Sequence, residues 1–125
     1  MKFRAICENH LYAKAYSKGK RAVTRSVAVY MLPDYTAERL RRAHPQKIKV
    51  NRIGLTVTKK LGGAVVRNRV KRILREAYRQ VAREVRVKTG FLLVIAAREA
   101  AVSMKSTELA RDLRAALLQL GMTVS

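Results

Sequence analysis

Between Arg67 and Val85 the chain places apolar and basic residues at the period of an α-helix. At about 100° per residue, Val70, Ile73, Leu74, Ala77, Tyr78 and Val81 fall on one arc, and Asn68, Lys71, Arg72, Arg75, Arg79 and Arg83 fill the opposite one. The apolar arc needs a surface to pack on. The basic arc needs water or an anion, because only Glu76 and Glu84 dilute it. Just upstream, an alternating strand pattern ends in Lys59-Lys60-Leu61-Gly62-Gly63, a turn that leads into the helix. The rest of the fold has to hold this cation-presenting helix in place.

The charge imbalance extends over the whole chain: 28 Lys and Arg against 8 Asp and Glu leave a formal net charge of +20 on 125 residues. Because 49% of those residues are hydrophobic, the chain is not a basic disordered tail. Its length fits one domain over residues 1–125, with no room for a second. Such a charge repels itself unless an anion binds it. Nucleic acid is the first candidate, since neutralising its phosphates releases counterions; an anionic membrane surface is the second. With Cys7 as the sole cysteine, an intramolecular disulfide and a four-thiolate zinc site are both excluded. The first ten residues hold no signal-peptide apolar run, and Phe91–Ala97 is far too short to span a bilayer. The expectation is a soluble cytoplasmic protein without a membrane partner.

Taken in order, a short helix is expected from about Glu8 to Lys18, with Leu11 and Ala15 four apart, Tyr12 and Tyr16 four apart, and Gly19 ending it. Ala22 to Leu32 reads as one strand, broken by Pro33-Asp34. Asp34 to Lys47 is an exposed connection with a helical turn at Ala37 to Arg42. A second strand runs to Thr58 through Ile53, Leu55 and Val57; Ile48 and Val50 are out of phase with these, so a bulge or a late start lies near Arg52. The basic helix spans about Val65 to Arg86. Phe91–Ala97 is the continuous apolar run of a strand covered on both faces, hence the middle of the sheet. A last helix runs from Ser106 to about Leu120 on a stripe of Leu109, Leu113, Ala116, Leu117 and Leu120. Glu108 and Asp112 lie toward its positive end and Gly121 follows its close. The order α-β-β-α-β-α gives an α+β domain with helices packed on a central, mostly antiparallel sheet.

Residues that hold metals or move protons are scarce. His10 and His44 lie in polar stretches, and the eight carboxylates are scattered without metal-ligand spacing. Gly62-Gly63 lacks the Gly-Lys-Ser/Thr ending of a nucleotide-binding phosphate loop, so it reads as the closure of the strand-to-helix turn. What remains is the cationic helix, the Lys59-Lys60 pair, and the tyrosines Tyr12, Tyr16 and Tyr30. Cations hold phosphates and aromatic rings stack on unpaired bases, a combination suited to single-stranded or irregular RNA. The bland alternatives are a solvated charged face and tyrosines that merely pack the core; the shortage of acids favours phosphate binding over the first. Asn68, uncharged among arginines, either braces the helix start or hydrogen-bonds RNA.

Read together, Lys59 to Tyr78, with its core Lys-Lys-Leu-Gly-Gly-Ala-Val-Val-Arg-Asn-Arg-Val-Lys-Arg, closely resembles the signature of the bacterial ribonuclease P protein component. The aromatic pair and glycine of Tyr12-Ala-Lys-Ala-Tyr16-Ser-Lys-Gly19 are similar to that family upstream, as is Tyr30 toward the end of the following strand. The Phe91–Ala97 strand and the Leu109–Leu120 helix extend the resemblance over nearly the whole chain. It implies the family's αβ fold with a left-handed βαβ crossover, and a role in removing the 5′ leader of precursor tRNA. Catalysis and Mg²⁺ would belong mainly to a large RNA subunit, the protein alone being inactive and binding no metal. The implied partners are ribonuclease P RNA and precursor tRNA, not DNA. On this resemblance Lys59, Lys60, Arg67, Asn68, Arg69, Lys71, Arg72 and Arg75 face the catalytic RNA. Tyr12, Lys14, Tyr16 and Tyr30 line a cleft for the single-stranded leader. Three features depart from the family pattern: an N-terminus with less basic charge, tyrosine at both first-helix aromatic positions, and a longer Asp34–Lys47 connection. The competing readings are a structural RNA-binding protein, such as a ribosomal component, and a protein-only metal nuclease, which the scattered carboxylates disfavour.

Overall fold

The computed structural model describes residues 3–6, 9–34, 43 and 51–124. The elements follow in the order β1 (Phe3–Ala5), α1 (Asn9–Lys18), β2 (Lys20–Val23), β3 (Val27–Pro33), β4 (Asn51–Thr56), α2 (Ala64–Glu84), β5 (Arg86–Val87), β6 (Phe91–Ala97), α3 (Ser106–Gln119) and β7 (Thr123–Val124). Short 3₁₀ helices occupy Lys59–Leu61 and Glu99–Ser103.

The main sheet has the order β1-β4-β6-β3-β2, and β5 pairs with β7 in a separate ribbon. As its uninterrupted apolar run requires, β6 is the central strand. Leu93 and Ile95 enter the core built with α2 and α3, while Leu92 and Val94 enter a smaller cluster with Ala15 of α1. The sheet therefore separates two cores, with α1 on one face and α2 and α3 on the other. Alternation on β3 repeats the division: Val27, Val29 and Met31 face α2 and α3, while Tyr30 and Leu32 face α1.

The predicted α+β class and the central place of β6 hold; the strand directions are more mixed than expected. β2–β3 and β3–β6 are antiparallel, whereas β4–β6 and β1–β4 are parallel. Parallel neighbours β4 and β6 have to be joined by a crossover, and α2 is the element that makes it. The strand predicted over Ala22 to Leu32 is a hairpin, which puts Tyr30 in the interior of β3 and not at a strand end. Its turn carries no glycine or proline: the Thr24 N–H donates to the Val27 carbonyl at 2.8 Å, and the Val27 N–H donates back to Thr24 Oγ1 at 3.3 Å. A threonine hydroxyl doing a turn's hydrogen bonding is a weak sequence signal.

β4 is described over Asn51–Thr56; Ile48 and Val50, on which the expected bulge or late start turns, lie outside the described residues. Most of the Asp34–Lys47 connection, including the helical turn expected at Ala37 to Arg42, lies outside the described residues. Asp34, at its start, is not an exposed linker residue but is buried at 3% exposure. Its carboxylate accepts from Arg52 Nε at 2.7 Å and from Nη2 at 3.0 Å. Asp112 also differs from its expected role as a helix-start charge, since it accepts a 2.6 Å bond from the hydroxyl of fully buried Ser26 in the hairpin turn. That contact ties α3 to the hairpin. Glu108 does serve the start of α3, accepting from the Lys105 N–H at 3.3 Å.

Candidate nucleic-acid interface

The cationic helix begins at a turn that only glycine suits. Gly62 has φ +147°, and a β-carbon there would lie 2.9 Å from Val66 Cβ. The N-cap of α2 is Gly63, with no side-chain cap and no acid in the first turn, so the positive end of the helix is left without a carboxylate of its own. Asn68 is five residues beyond the cap and exposed, so it does not cap the helix.

Arg67, Lys71 and Arg75 are spaced by four and form one ridge along α2. Lys59, Lys60, Asn68, Arg69, Arg72 and Arg75 are exposed, whereas Arg67 and Lys71 are half-buried. Among the described residues no carboxylate pairs with any of these cations. The acids of α2 serve other groups: Glu76 pairs with Arg79 at 2.8 Å, and Glu84 with Arg114 of α3 at 3.3 Å. Arg67 Nε is buried without a hydrogen-bond partner. Five N–H donors set in a fixed fork, one of them unsatisfied, make a good receptor for phosphate oxygens.

The depth of α2 on the sheet is set by a buried polar knot. Asn51 Nδ2 donates to the Lys88 carbonyl at 2.8 Å and to Tyr78 Oη at 3.2 Å, and Asn51 Oδ1 accepts from the Phe91 N–H at 3.0 Å. Burial pushes the Tyr78 hydroxyl pKa up, against a smaller downward pull from its bond with Asn51. One turn above Tyr78 lies Arg75, and Lys71 is one turn further on.

The tyrosines gather on the other face. Tyr12 lies over Gly54 of β4, where a β-carbon would come 2.6 Å from its ring. Tyr16 meets Tyr30 edge to face, with ring centroids 4.8 Å apart and planes at 84°. The Tyr16 hydroxyl shares a 2.7 Å hydrogen bond with Thr56 Oγ1. At 42% exposure Tyr16 is no core residue; Tyr12 and Tyr30 are half-buried. Lys14 is exposed and leaves α1 about 160° away from both tyrosines of that helix, so it does not join their face. Between the two sets lies a pocket lined by Ala5, Tyr12, Ile53, Leu55, Lys71, Arg75 and Tyr78, which brings the cationic ridge to the end of the aromatic row.

Sequence reasoning missed the residues that place these groups. Gly54 carried a usable signal, because a glycine inside a strand marks close approach by another group. Thr56, Asn51 and the Asp34–Arg52 pair carried none, being ordinary polar residues in a strand or at its edge. Among the described residues, no three or more His, Cys, Asp or Glu side chains are grouped closely enough to hold a metal ion, and no helix is long and apolar enough to cross a membrane.

Comparison with known proteins gives a consistent family. The family model described as Ribonuclease P matches residues 1–121. The Ribonuclease P protein component of Thermoanaerobacter sp. strain X514 is 33% identical over 93 residues, 74% of this chain and 68% of that one. The solved Staphylococcus aureus RNase P protein superposes with a TM-score of 0.75 at 25% identity, covering 98% of this chain and all of the other. A mutant of the S. aureus protein with defective mRNA degradation activity superposes with a TM-score of 0.72 at 26% identity, covering 94% of this chain and 88% of that one.

Proposed function

The chain belongs to the ribonuclease P protein family, and from that premise we propose that it binds ribonuclease P RNA through the cations of α2 while its tyrosine face holds the 5′ leader of precursor tRNA. The hydrolytic chemistry and its Mg²⁺ belong to the RNA subunit or to the RNA–protein boundary, and the protein alone is inactive and holds no metal. The particle works in the cytoplasm.

One observation carries this reading: the ridge of Arg67, Lys71 and Arg75, which meets no carboxylate among the described residues, ends at the same pocket as Tyr12, from which the row continues to Tyr16 and Tyr30. Phosphate receptors and stacking surfaces thus adjoin, as a bound RNA subunit and a single strand leaving it would require. A structural RNA-binding protein would need the cations and would have no use for a half-exposed aromatic pair beside them.

The test is single-turnover cleavage of a precursor tRNA by ribonuclease P RNA at low Mg²⁺, with and without the protein, and with the protein alone. Protein-dependent cleavage at the mature 5′ end, with affinity that grows with leader length, is the expected result. Equal binding of mature and precursor tRNA by the assembled particle would remove the leader cleft. Because a mutant of an S. aureus relative is described as having defective mRNA degradation activity, the arm without the RNA subunit decides a separate point: cleavage there would overturn the assignment of chemistry to the RNA.

A further inference from the structure

Antiparallel pairing sets Arg21 of β2 directly across from Tyr30 of β3. Residues paired in this way stand on the same face of a sheet, with β-carbons about 4.5–5.5 Å apart. The face is fixed from both strands. Ala22 is buried in the core with α2 and α3, so Arg21 and Val23 on either side of it face the other way, toward the α1 side where Tyr30 packs.

Following the register across β4, β6, β3 and β2 gives one row of Gly54, Val94, Tyr30 and Arg21, and a next row of Thr56, Ala96, Ala28 and Val23. The first row lies under Tyr12 at Gly54 and beside Tyr16 at Tyr30. The second starts at Thr56, which holds the Tyr16 hydroxyl, and continues over small side chains to Val23, 43% exposed at the sheet edge. Arg21 is exposed, and no carboxylate pairs with it among the described residues. Helix α1 stops at Lys18 and the chain enters β2 at Lys20, so Arg21 lies just beyond the end of the helix that carries Tyr16.

We propose that the single-stranded track does not stop at the tyrosine pair but continues across this floor to β2, where Arg21 binds a backbone phosphate of the RNA leader next to the base held at Tyr30. The inference rests on the leader-cleft reading and adds a residue outside the resemblance to it. A guanidinium fork matches phosphate oxygens two at a time, and an aromatic ring beside it supports the neighbouring base. The plain alternative is that Arg21 merely discourages edge-to-edge sheet pairing, a common use of charge on an edge strand; such a residue would not distinguish one RNA from another.

The experiment measures binding of the assembled ribonucleoprotein to leader-bearing precursor tRNA and to mature tRNA across a salt series, for the unaltered protein, Arg21→Ala, Arg21→Lys and Tyr16→Ala. Arg21→Ala should weaken leader-bearing substrate by roughly tenfold and lower its salt slope by about 0.7. Mature tRNA affinity, assembly with the RNA subunit and melting temperature should stay as they were. Arg21→Lys should restore the salt slope while recovering only part of the affinity. If Tyr16→Ala weakens leader binding and Arg21→Ala does not, the cleft stands and the extension to Arg21 is wrong. If neither changes it, the leader-cleft reading fails and takes the extension with it. Loss of RNA-subunit affinity in Arg21→Ala would also overturn the proposal, by placing Arg21 against that RNA.

Discussion

The ring of Tyr12 rests on the backbone of Gly54: a β-carbon at Gly54 would lie 2.6 Å from Tyr12 Cε1 and Cζ and 2.7 Å from its hydroxyl oxygen. The two residues are far apart in sequence, and the missing side chain of one makes the seat for the other. Gly54 holds no positive φ, so its backbone accepts alanine and the nearest atoms the added methyl meets are those of the Tyr12 ring.

Gly54→Ala should therefore displace Tyr12 and leave the fold standing. The clash falls on the far end of a half-buried side chain and not on backbone, so the ring has to turn out of its seat while the strand stays in place. We expect a small change in melting temperature together with a loss of about 1–3 kcal/mol in affinity for leader-bearing precursor tRNA, similar to Tyr12→Ala. Thermal unfolding and binding measured on the same preparation check this. A large fall in melting temperature with binding intact would contradict it.

Arg67→Ala and Arg69→Ala should weaken assembly with ribonuclease P RNA, each lost phosphate contact reducing the salt slope by about 0.7 to 0.9. Of the two, Arg67 has the buried, unpartnered Nε, so its removal should be the more costly. Titration of the RNA subunit at several salt concentrations reads both effects; an unchanged slope would take that residue out of the interface.

Arg52→Ala should destabilise the fold by about 1.5–3 kcal/mol, because it removes the 2.7 Å charge-assisted bond that Arg52 makes to the buried Asp34 carboxylate. Replacing Asp34 and Arg52 together by uncharged residues should cost less than Arg52→Ala alone, since the buried carboxylate is then removed along with the guanidinium. Denaturant unfolding of the two variants against the parent decides it.

Alkaline stability should depend on Tyr78. Its hydroxyl has a folded-state pKa raised above the ordinary value of 10.0 by burial. Above pH 10.0 the unfolded chain therefore releases this proton more readily than the folded one. The stabilisation is fully present below the unfolded pKa and is lost as pH rises through the folded pKa. Tyr78→Phe should lose about 0.5–1.5 kcal/mol at neutral pH, for the bond with Asn51, and show a shallower decline above pH 10. Urea unfolding from neutral to alkaline pH compares the slopes; parallel declines would remove Tyr78 as their source.

What the sequence by itself determined was whatever has a local period or a local charge imbalance. The buried stripe of α2, with Val70, Leu74, Ala77, Tyr78 and Val81 enclosed, follows from 3.6-residue spacing. The central position of β6 follows from an apolar run that leaves neither face for water. The surplus of cations at the start of α2 follows from counting acids, and the family from the residues around Arg67-Asn68-Arg69. Tertiary structure alone decided which distant residues meet. Tyr12 on Gly54, Tyr16 on Thr56, Arg21 beside Tyr30 and Asn51 under Tyr78 all depend on strand order and register. The mixed directions of β4 and β3 on either side of β6 depend on the connections between them. A hydrophobic period records that a face is buried, but every apolar surface satisfies it equally well. Choosing among those surfaces takes the directional hydrogen bonds and close contacts that exist only once the chain has come together.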